Sequence, residues 1–570
     1  MFSHAIKHIN DSVTNGTKFV VSRVMGNVIG TVKPVRKHYD MAISYTIHEG
    51  DGNTPTIVNV NFPSDKYTAL DYTPVWEHHR FAGWRANSTS GPIVTSNDSI
   101  VYGIKDIYAS WQSPTTVTFD ATTNGGQMPS GWTAPDYYEG QPYGTLPKPT
   151  KSGEVFLGWF TSGGTRVTES SAVTAGTLTA RYAAVTYDTS FQVTTTSSYR
   201  KTGIYSATSR NTSNPTVVDW GDGTTDIVYG NISQLAHAYS SNGTFTVQVN
   251  DNISNIALST NNSTWYDTTS QNRYTVKKLT ALGANITALP SAAFMYCSAM
   301  TDVLLPSNAS FKTIPQNCFA YCNVLKPVAI PSTVTTITDR AFQYINGSQF
   351  TSVTIPSAVT SIGQYAFYNC NYLKSITFEA SSSTLTLGTY TFANCFYQSS
   401  AVGTIDLSPR KITSIPNYCF YYCRYLKGIT WPQGLTFIGG SAFRYCFYYQ
   451  ASTGTVKIPE GVTSISSTYA FANCLYLTAV TLPSTLTNLN NYTFYYCTRL
   501  ATITSFRSTA PTVSAATFGN NTTYYTGRTS YSAGTNKLRV PAGATGYNAS
   551  YWSSVLLYST KCGFTLEEMT

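Results

Sequence analysis

The sequence predicts a mostly β, multidomain, elongated chain that ends in a solenoid with a parallel β-sheet. Two observations carry this. The phrase Phe-x-x-Cys recurs at Phe294/Cys297, Phe319/Cys322, Phe367/Cys370, Phe392/Cys395, Phe420/Cys423, Phe443/Cys446, Phe471/Cys474 and Phe494/Cys497, while Phe342 and Phe518 keep the phase without the Cys. Successive Phe residues stand 25, 23, 25, 25, 28, 23, 28, 23 and 24 positions apart, a spacing at which each repeat is one coil of an array. The first half shows instead short alternating apolar runs broken by Gly and Pro, the pattern of small β-modules. At 570 residues the chain exceeds one ordinary globular core, so several domains or one long array are expected.

Residues 1–40 are of mixed polarity and are interrupted by Gly26, Gly30 and Pro34; they read as an extended leader and attachment segment. Residues 41–112 and 113–184 read as two copies of one module. The first holds Phe81-Ala-Gly-Trp84 and closes with Ile107-Tyr-Ala-Ser-Trp111; the second holds Phe156-Leu-Gly-Trp159 and closes with Leu178-Thr-Ala-Arg-Tyr182. A Gly-Trp pair anchors a small core in each. The second copy resembles the small β-grasp repeat of bacterial surface proteins, the internalin B-repeat or Listeria–Bacteroides repeat, and the first is a degenerate version of it.

Residues 185–255 contain Asp219-Trp220-Gly221-Asp222-Gly223, then His237-Ala-Tyr239 and Gly243-Thr-Phe245-Thr-Val247. These phrases resemble the polycystic-kidney-disease-type Ig-like sandwich, in which Gly221-Asp222-Gly223 is a tight turn between strands. The family's Phe before the Gly is absent. Asp219 and Asp222 carry two readings, capping of that turn or a calcium site.

In residues 256–570 each coil has a strand phrase such as Val353-Thr-Ile355-Pro356, a second apolar pair such as Val359/Ile362, and then the Ala-Phe-x-x-Cys turn. This resembles the BspA-type leucine-rich repeat, and Leu538-Arg-Val-Pro-Ala-Gly543 with Tyr547 and Trp552 resembles that family's end cap. Alternation sends Val353 and Ile355 inward and Thr354 outward. Thr377, Asp406, Thr430, Lys457 and Thr481 hold the same outward position, either as a Thr-rich ladder or as a polar strip for a ligand.

Composition narrows the function. Only 11% of residues are charged, and Ser, Thr, Asn and 43 Tyr make up the polar surface, as in extracellular and virion β-proteins. Residues 1–255 hold 17 Lys+Arg against 19 Asp+Glu, and residues 256–570 hold 19 against 8, so the repeats are the basic half. The field suits an acidic polymer better than DNA, for which clustered Arg and Lys are needed; no nucleic-acid partner is expected. No apolar run reaches about 18 residues, so no membrane insertion is expected. The N-terminal MFSHAIKHINDSVTNGTKFVVSRV lacks the apolar segment of a secretory signal, and KCGFTLEEMT shows no anchor pattern.

The candidate ligand-binding residues are Lys326, Lys374, Lys427 and Lys457 with Tyr421, Tyr448 and Tyr495. Lys326, Lys374 and Lys427 each stand two residues before an inward strand residue on every second coil, which places them about 10 Å apart, as a row for a polyanion or as ordinary solvated Lys. The turn tyrosines read equally as inter-coil packing and as contact platforms.

The eleven Cys, mostly one per coil at an inward phase, read as small buried hydrophobes. Cys318/Cys322 and Cys419/Cys423 lie four coils apart, too far for one zinc, so no metal or cofactor is expected. All seven His precede the repeats, and no catalytic motif or paired carboxylate appears. The expected function is non-enzymatic recognition of a surface glycan or protein through the solenoid. The first setting is a virion-exposed phage fibre or capsid decoration protein attached by residues 1–40 to other virion proteins, with homo-oligomerisation open. The second is a bacterial surface adhesin exported by an unrecognised route, and a polysaccharide-cleaving enzyme is a remote third.

Overall fold

A computed structural model describes residues 41–49, 55–62, 66–100, 104, 106–260, 269–398, 403–449, 454–465, 468–514, 517–518, 536–548, 552 and 564–570. The expected attachment segment 1–40 lies outside them. The chain divides into two compact units, 1–184 and 185–570. Among the described residues helix is confined to single turns such as Asn272–Thr275.

The first unit contains the two modules. Strands β1 (Met41–His48), β2 (Thr56–Phe62), β3 (Arg80–Ala86), β4 (Ile93–Val94) and β5 (Asp106–Gln112) form a sheet in the order β2-β1-β5-β3-β4. Strands β6 (Val117–Asp120), β7 (Val155–Phe160), β8 (Arg166–Val167) and β9 (Gly176–Ala183) form the order β6-β9-β7-β8. Apart from β2, which has no counterpart in the second sheet, the correspondence is strand for strand. β1–β5 and β6–β9 are parallel, and β3–β5 and β7–β9 are antiparallel, each with a bulge at the Gly of the Gly-Trp pair. Gly83 and Gly158 sit there at φ +123° and +130°, a region that only Gly enters at little cost. Trp84 and Trp159 follow, buried at 3% and 1% exposure.

The second unit opens with β10 (Tyr187–Thr195), β11 (Lys201–Ser209), β12 (Pro215–Asp219), β13 (Thr225–Tyr229), β14 (Ile232–Ala238), β15 (Gly243–Asn250), β16 (Ile253–Ala257) and β17 (Val276–Ala281). One sheet runs β13-β12-β15-β10-β17, and a second, β14-β11-β16, faces it across Phe191, Ile204, Val218, Trp220, Val247 and Ile256. A Cβ on Gly221 would lie 2.6 Å from the Thr246 carbonyl oxygen, so the β12–β13 turn needs Gly there.

The boundary expected at residue 255 falls inside β16. Strand β17 pairs antiparallel with β10 and parallel with Asp302–Val303. It therefore closes the sandwich and starts the solenoid, and one hydrophobic core runs from Phe191 to Trp552. No composition change marks the junction because one strand serves both.

Each coil of the solenoid then contributes a strand phrase and a two-residue strand before its turn. The short strands at Thr313, Thr336, Ser361 and Thr386 stack in parallel register, as do those at Ser414, Phe437, Ser464, Asn488 and Thr512. The repeat Phe rings form a column with centroids 5.1–5.7 Å apart and planes within 19°. At the far end Asn536–Pro541 and Phe564–Met569 extend the sheet in parallel. Tyr547 donates to Ser505 Oγ at 2.7 Å and Trp552 Nε1 to the Pro511 carbonyl at 2.7 Å, covering the last regular coil.

Candidate functional site

The solenoid's turn edge is built by its backbone. The residues two before and two after each repeat Phe adopt φ between +54° and +65°: Ala292, Asn317, Arg340, Tyr365, Tyr390, Tyr418, Ser441, Tyr469 and Tyr492 before, and Tyr296, Tyr321, Tyr344, Asn369, Asn394, Tyr422, Tyr445, Asn473 and Tyr496 after. A left-handed non-Gly residue costs roughly 1–2 kcal/mol. The cost is offset because these kinks turn alternate amides toward the next coil. Tyr365, Phe367 and Asn369 donate to the carbonyls of Thr389, Thr391 and Ala393 at 2.9–3.0 Å, while Tyr368 and Cys370 donate locally to Tyr365 and Phe367 at 3.0 and 3.2 Å. The same division recurs along the edge, leaving those buried amides paired.

The repeat Cys completes this accounting. Cys322, Cys370, Cys395, Cys423, Cys446, Cys474 and Cys497 each donate Sγ–H to the Phe carbonyl of the preceding coil, at 3.0–3.3 Å. A Val or Ala fills similar space but offers no donor, which is why the turn takes Cys. All ten described thiols are buried, and burial pushes Cys297 and Cys370 up to about 12. We expect Ellman's reagent to titrate at most one thiol, Cys562, in the native protein and the other ten only after unfolding; a second native thiol would contradict the buried ladder.

The tyrosines that the kinks project stack on one another. Tyr296–Tyr321–Tyr344 are 4.6 and 4.8 Å apart, Tyr365–Tyr390–Tyr418 are 4.8 and 4.5 Å apart, and Tyr469–Tyr492 are 4.8 Å apart, all with planes within 13°. Tyr368, Tyr421 and Tyr495 occupy the position after the repeat Phe and lie crosswise, at 78–89° to the column rings. Burial, then the neighbouring Tyr422, push the Tyr421 phenol up to about 12, so it keeps its proton at neutral pH.

Arginines bind the edge together. Arg424 lies 4.7–5.6 Å from the ring centroids of Tyr397, Tyr422, Tyr448 and Tyr449 and donates to the Tyr449 hydroxyl at 3.0 Å. Arg444 spans Tyr445 and Tyr469 at 5.1 and 4.6 Å. Tyr397 and Tyr448 belong to the two coils, those of Phe392 and Phe443, whose next repeat Phe stands 28 residues on; both carry Cys-Phe-Tyr, with Phe396 packed against Gly403 and Phe447 against Gly454.

The lysine candidates are placed less evenly. Lys326 forms an ion pair with Asp302 at 3.1 Å. The Thr301 hydroxyl holds the Asp302 carboxyl below its ordinary range, opposed by burial and aided by Lys326. Lys374 is exposed. Lys427 is the extra residue of a bulge between Leu426 and Gly428, so it does not share the register of the other two. Lys457 sits on the outward strip, opposite Thr481.

In the sandwich, Asp219 accepts the Gly221 amide, and Asp222 accepts the Thr224 amide and contacts His237 Nε2 at 2.8 Å. These carboxylates cap the turn. Among the described residues no group of three or more His, Cys, Asp or Glu is arranged to hold a metal ion, and no helix is long and apolar enough to cross a membrane.

The BspA-type leucine-rich-repeat model matches residues 241–347, 343–446 and 444–529, together just over half of the 570 residues. The chain belongs to the BspA-type leucine-rich-repeat family. Ahead of the BspA-type region, the Listeria–Bacteroides repeat model matches 42–110 and 116–181. No curated protein matches the chain. Among solved structures it is similar to a leucine-rich repeat protein from Bacteroides ovatus, at 24% identity over 41% of this chain and 56% of that one, with a TM-score of 0.34. It is also similar to a leucine rich cell surface protein from Faecalibacterium prausnitzii, at 25% identity over 40% and 69%, with a TM-score of 0.26. This BspA-type chain thus spans just over half the length of the B. ovatus protein.

The ±2 kinks, the thiol hydrogen bond and the Arg424 cluster were not read from the sequence. One signal was present: Asn, which tolerates the left-handed region, alternates with Tyr at the kinked slots.

Proposed function

We propose that this BspA-type protein is a non-enzymatic recognition protein acting at an outer surface, with the solenoid as its contact surface for a glycan or protein. The observation that carries it is the repeat chemistry itself. The thiols are spent on neighbouring carbonyls in a buried ladder, and the outer edge is a repeating tyrosine–arginine surface suited to holding a partner. Membership in the family and the two Listeria–Bacteroides repeats support the reading. The finer setting proposed is a virion-exposed fibre or decoration protein, which suits a surface rich in Ser, Thr, Asn and Tyr with 11% charged residues. The alternative is a bacterial cell-surface adhesin, in keeping with the two Listeria–Bacteroides repeats ahead of the solenoid.

The full chain is expected to bind intact bacterial cells or their envelopes saturably and to release no product from purified polysaccharides. Turnover of a polysaccharide would overturn the non-enzymatic reading. Antibody labelling in electron micrographs of the native source separates the settings, by decorating either particles or cell walls.

A further inference from the structure

We infer that the crosswise rings of Tyr368, Tyr421 and Tyr495, with Arg444 between them, form a linear binding track for an extended acidic polysaccharide. This rests on the recognition reading and names its ligand class and site. The stacked column tyrosines are poorer sugar platforms, because each has one face covered by a neighbour at 4.5–4.8 Å, Tyr321 and Tyr390 have both covered, and Arg340 and Arg444 lie over Tyr365 and Tyr469. The crosswise rings differ. Their planes run along the column, so a half-exposed ring there turns a face sideways, the geometry a pyranose needs for stacking.

The three rings occupy one structural position. Read along the coils, the residue after the repeat Phe is Tyr368, Ala393, Tyr421, Arg444, Ala472 and Tyr495. The rings are therefore two and three coils apart, about 10 and 14 Å at the strand spacing, and the buried Ala393 and Ala472 keep the intervals low. An extended polysaccharide advances by close to one coil per sugar, so separate sugars of one chain meet separate rings.

Charge selects the acidic kind. Between three residues before and five after the repeat Phe residues, the turns hold Arg340, Arg424, Arg444 and Arg499 against one acid, Asp339, whose carboxylate accepts the Gln364 amide at 2.7 Å. Arg444 stands in the track itself. A folded protein partner fits less well, since protein interfaces centre on a few large anchors filling desolvated pockets, and this edge is a shallow repeating strip.

The test titrates the full-length protein with alginate, hyaluronan and heparin, and with dextran as the neutral control. Binding to at least one acidic polysaccharide and not to dextran is expected. The triple variant Tyr368→Ala/Tyr421→Ala/Tyr495→Ala should bind about tenfold or more weakly, the corresponding triple Phe variant should bind like wild type, and Arg444→Gln should weaken binding. Each single Tyr→Ala change, compared with its Phe counterpart, gives the same reading should the triple variant unfold. Failure to bind any acidic polysaccharide, or equal binding by the Ala and Phe variants, overturns the track. A protein that binds cells through an envelope protein and no polysaccharide loses the track but keeps the recognition function; one that binds neither loses both.

Discussion

Replacing Phe367 by Ala should lower the stability of the solenoid by about 3–5 kcal/mol, whereas Phe367→Leu should cost less than about 1.5 kcal/mol. Phe367 is fully buried and stacks on Phe342 at 5.1 Å and on Phe392 at 5.4 Å. Its amide and carbonyl also tie it to the following coil, through the bond to Thr391 and the bond from the Cys395 thiol. Removing the ring opens a cavity between coils that the rigid turn backbone cannot close. Urea unfolding followed by circular dichroism measures the change, and hydrogen exchange locates it. In an array whose coils touch only their neighbours, faster exchange should centre on residues 342–392. A loss spread evenly over the whole solenoid, or a loss below about 1 kcal/mol, would show that the column is not what holds the coils.

Arg410→Ala should destabilise the same region by roughly 3 kcal/mol, from lost packing and lost charged hydrogen bonds. Arg410 is 1% exposed, an unusual position for a guanidinium. It arises because the spacing between apolar residues, four in Ile355–Val359, lengthens to seven in Phe378–Leu385 and five in Leu407–Ile412. The added residues pair as Ser381–Thr384 with Arg410–Lys411. The Arg410 side chain then reaches inward, where Nη1 donates to the Pro356 carbonyl at 3.1 Å and Nη2 to that of Val359. Burial lowers its pKa, opposed by the charge of Glu379. An ammonium lacks the planar fork, so Arg410→Lys should leave one carbonyl unpaired and lie about 1–2 kcal/mol below wild type. Thermal and urea unfolding read both; a Lys variant as stable as wild type would mean the fork is not needed.

The fold was legible where chemistry repeats. Phe367 and its equivalents at fixed spacing specified coils, and the shared Phe-x-Gly-Trp of residues 81–84 and 156–159 specified twin modules with the same bulge. Sandwich and solenoid could not be separated at residue 255, because β17 reads as one more short strand and only its two partners reveal its double role. The candidate site was legible by residue type and not by geometry. Tyr421 and Tyr495 were singled out, but a run of tyrosines does not say which rings stack and which lie across them; that follows from backbone kinks at the slots before and after each Phe. Lys326 and Lys427 were spaced correctly along the chain, yet Asp302 and a one-residue bulge, both set by tertiary pairing, remove the regular row.

The bonds joining one coil to the next have a consequence for how such a chain changes length. At the turn edge the bonds that recur from coil to coil are carried by main-chain amides and a thiol whose acceptor is itself main chain, while side-chain links such as Asp339 to the Gln364 amide are particular to one pair of coils. Losing or copying one complete repeat leaves the main-chain and thiol donors of the turn edge with acceptors, and the binding edge grows or shrinks by one step of about 5 Å. Unequal exchange between repeated stretches of the gene can therefore tune reach without redesigning the fold, provided that the breakpoints spare β17 and the coils that hold Arg410.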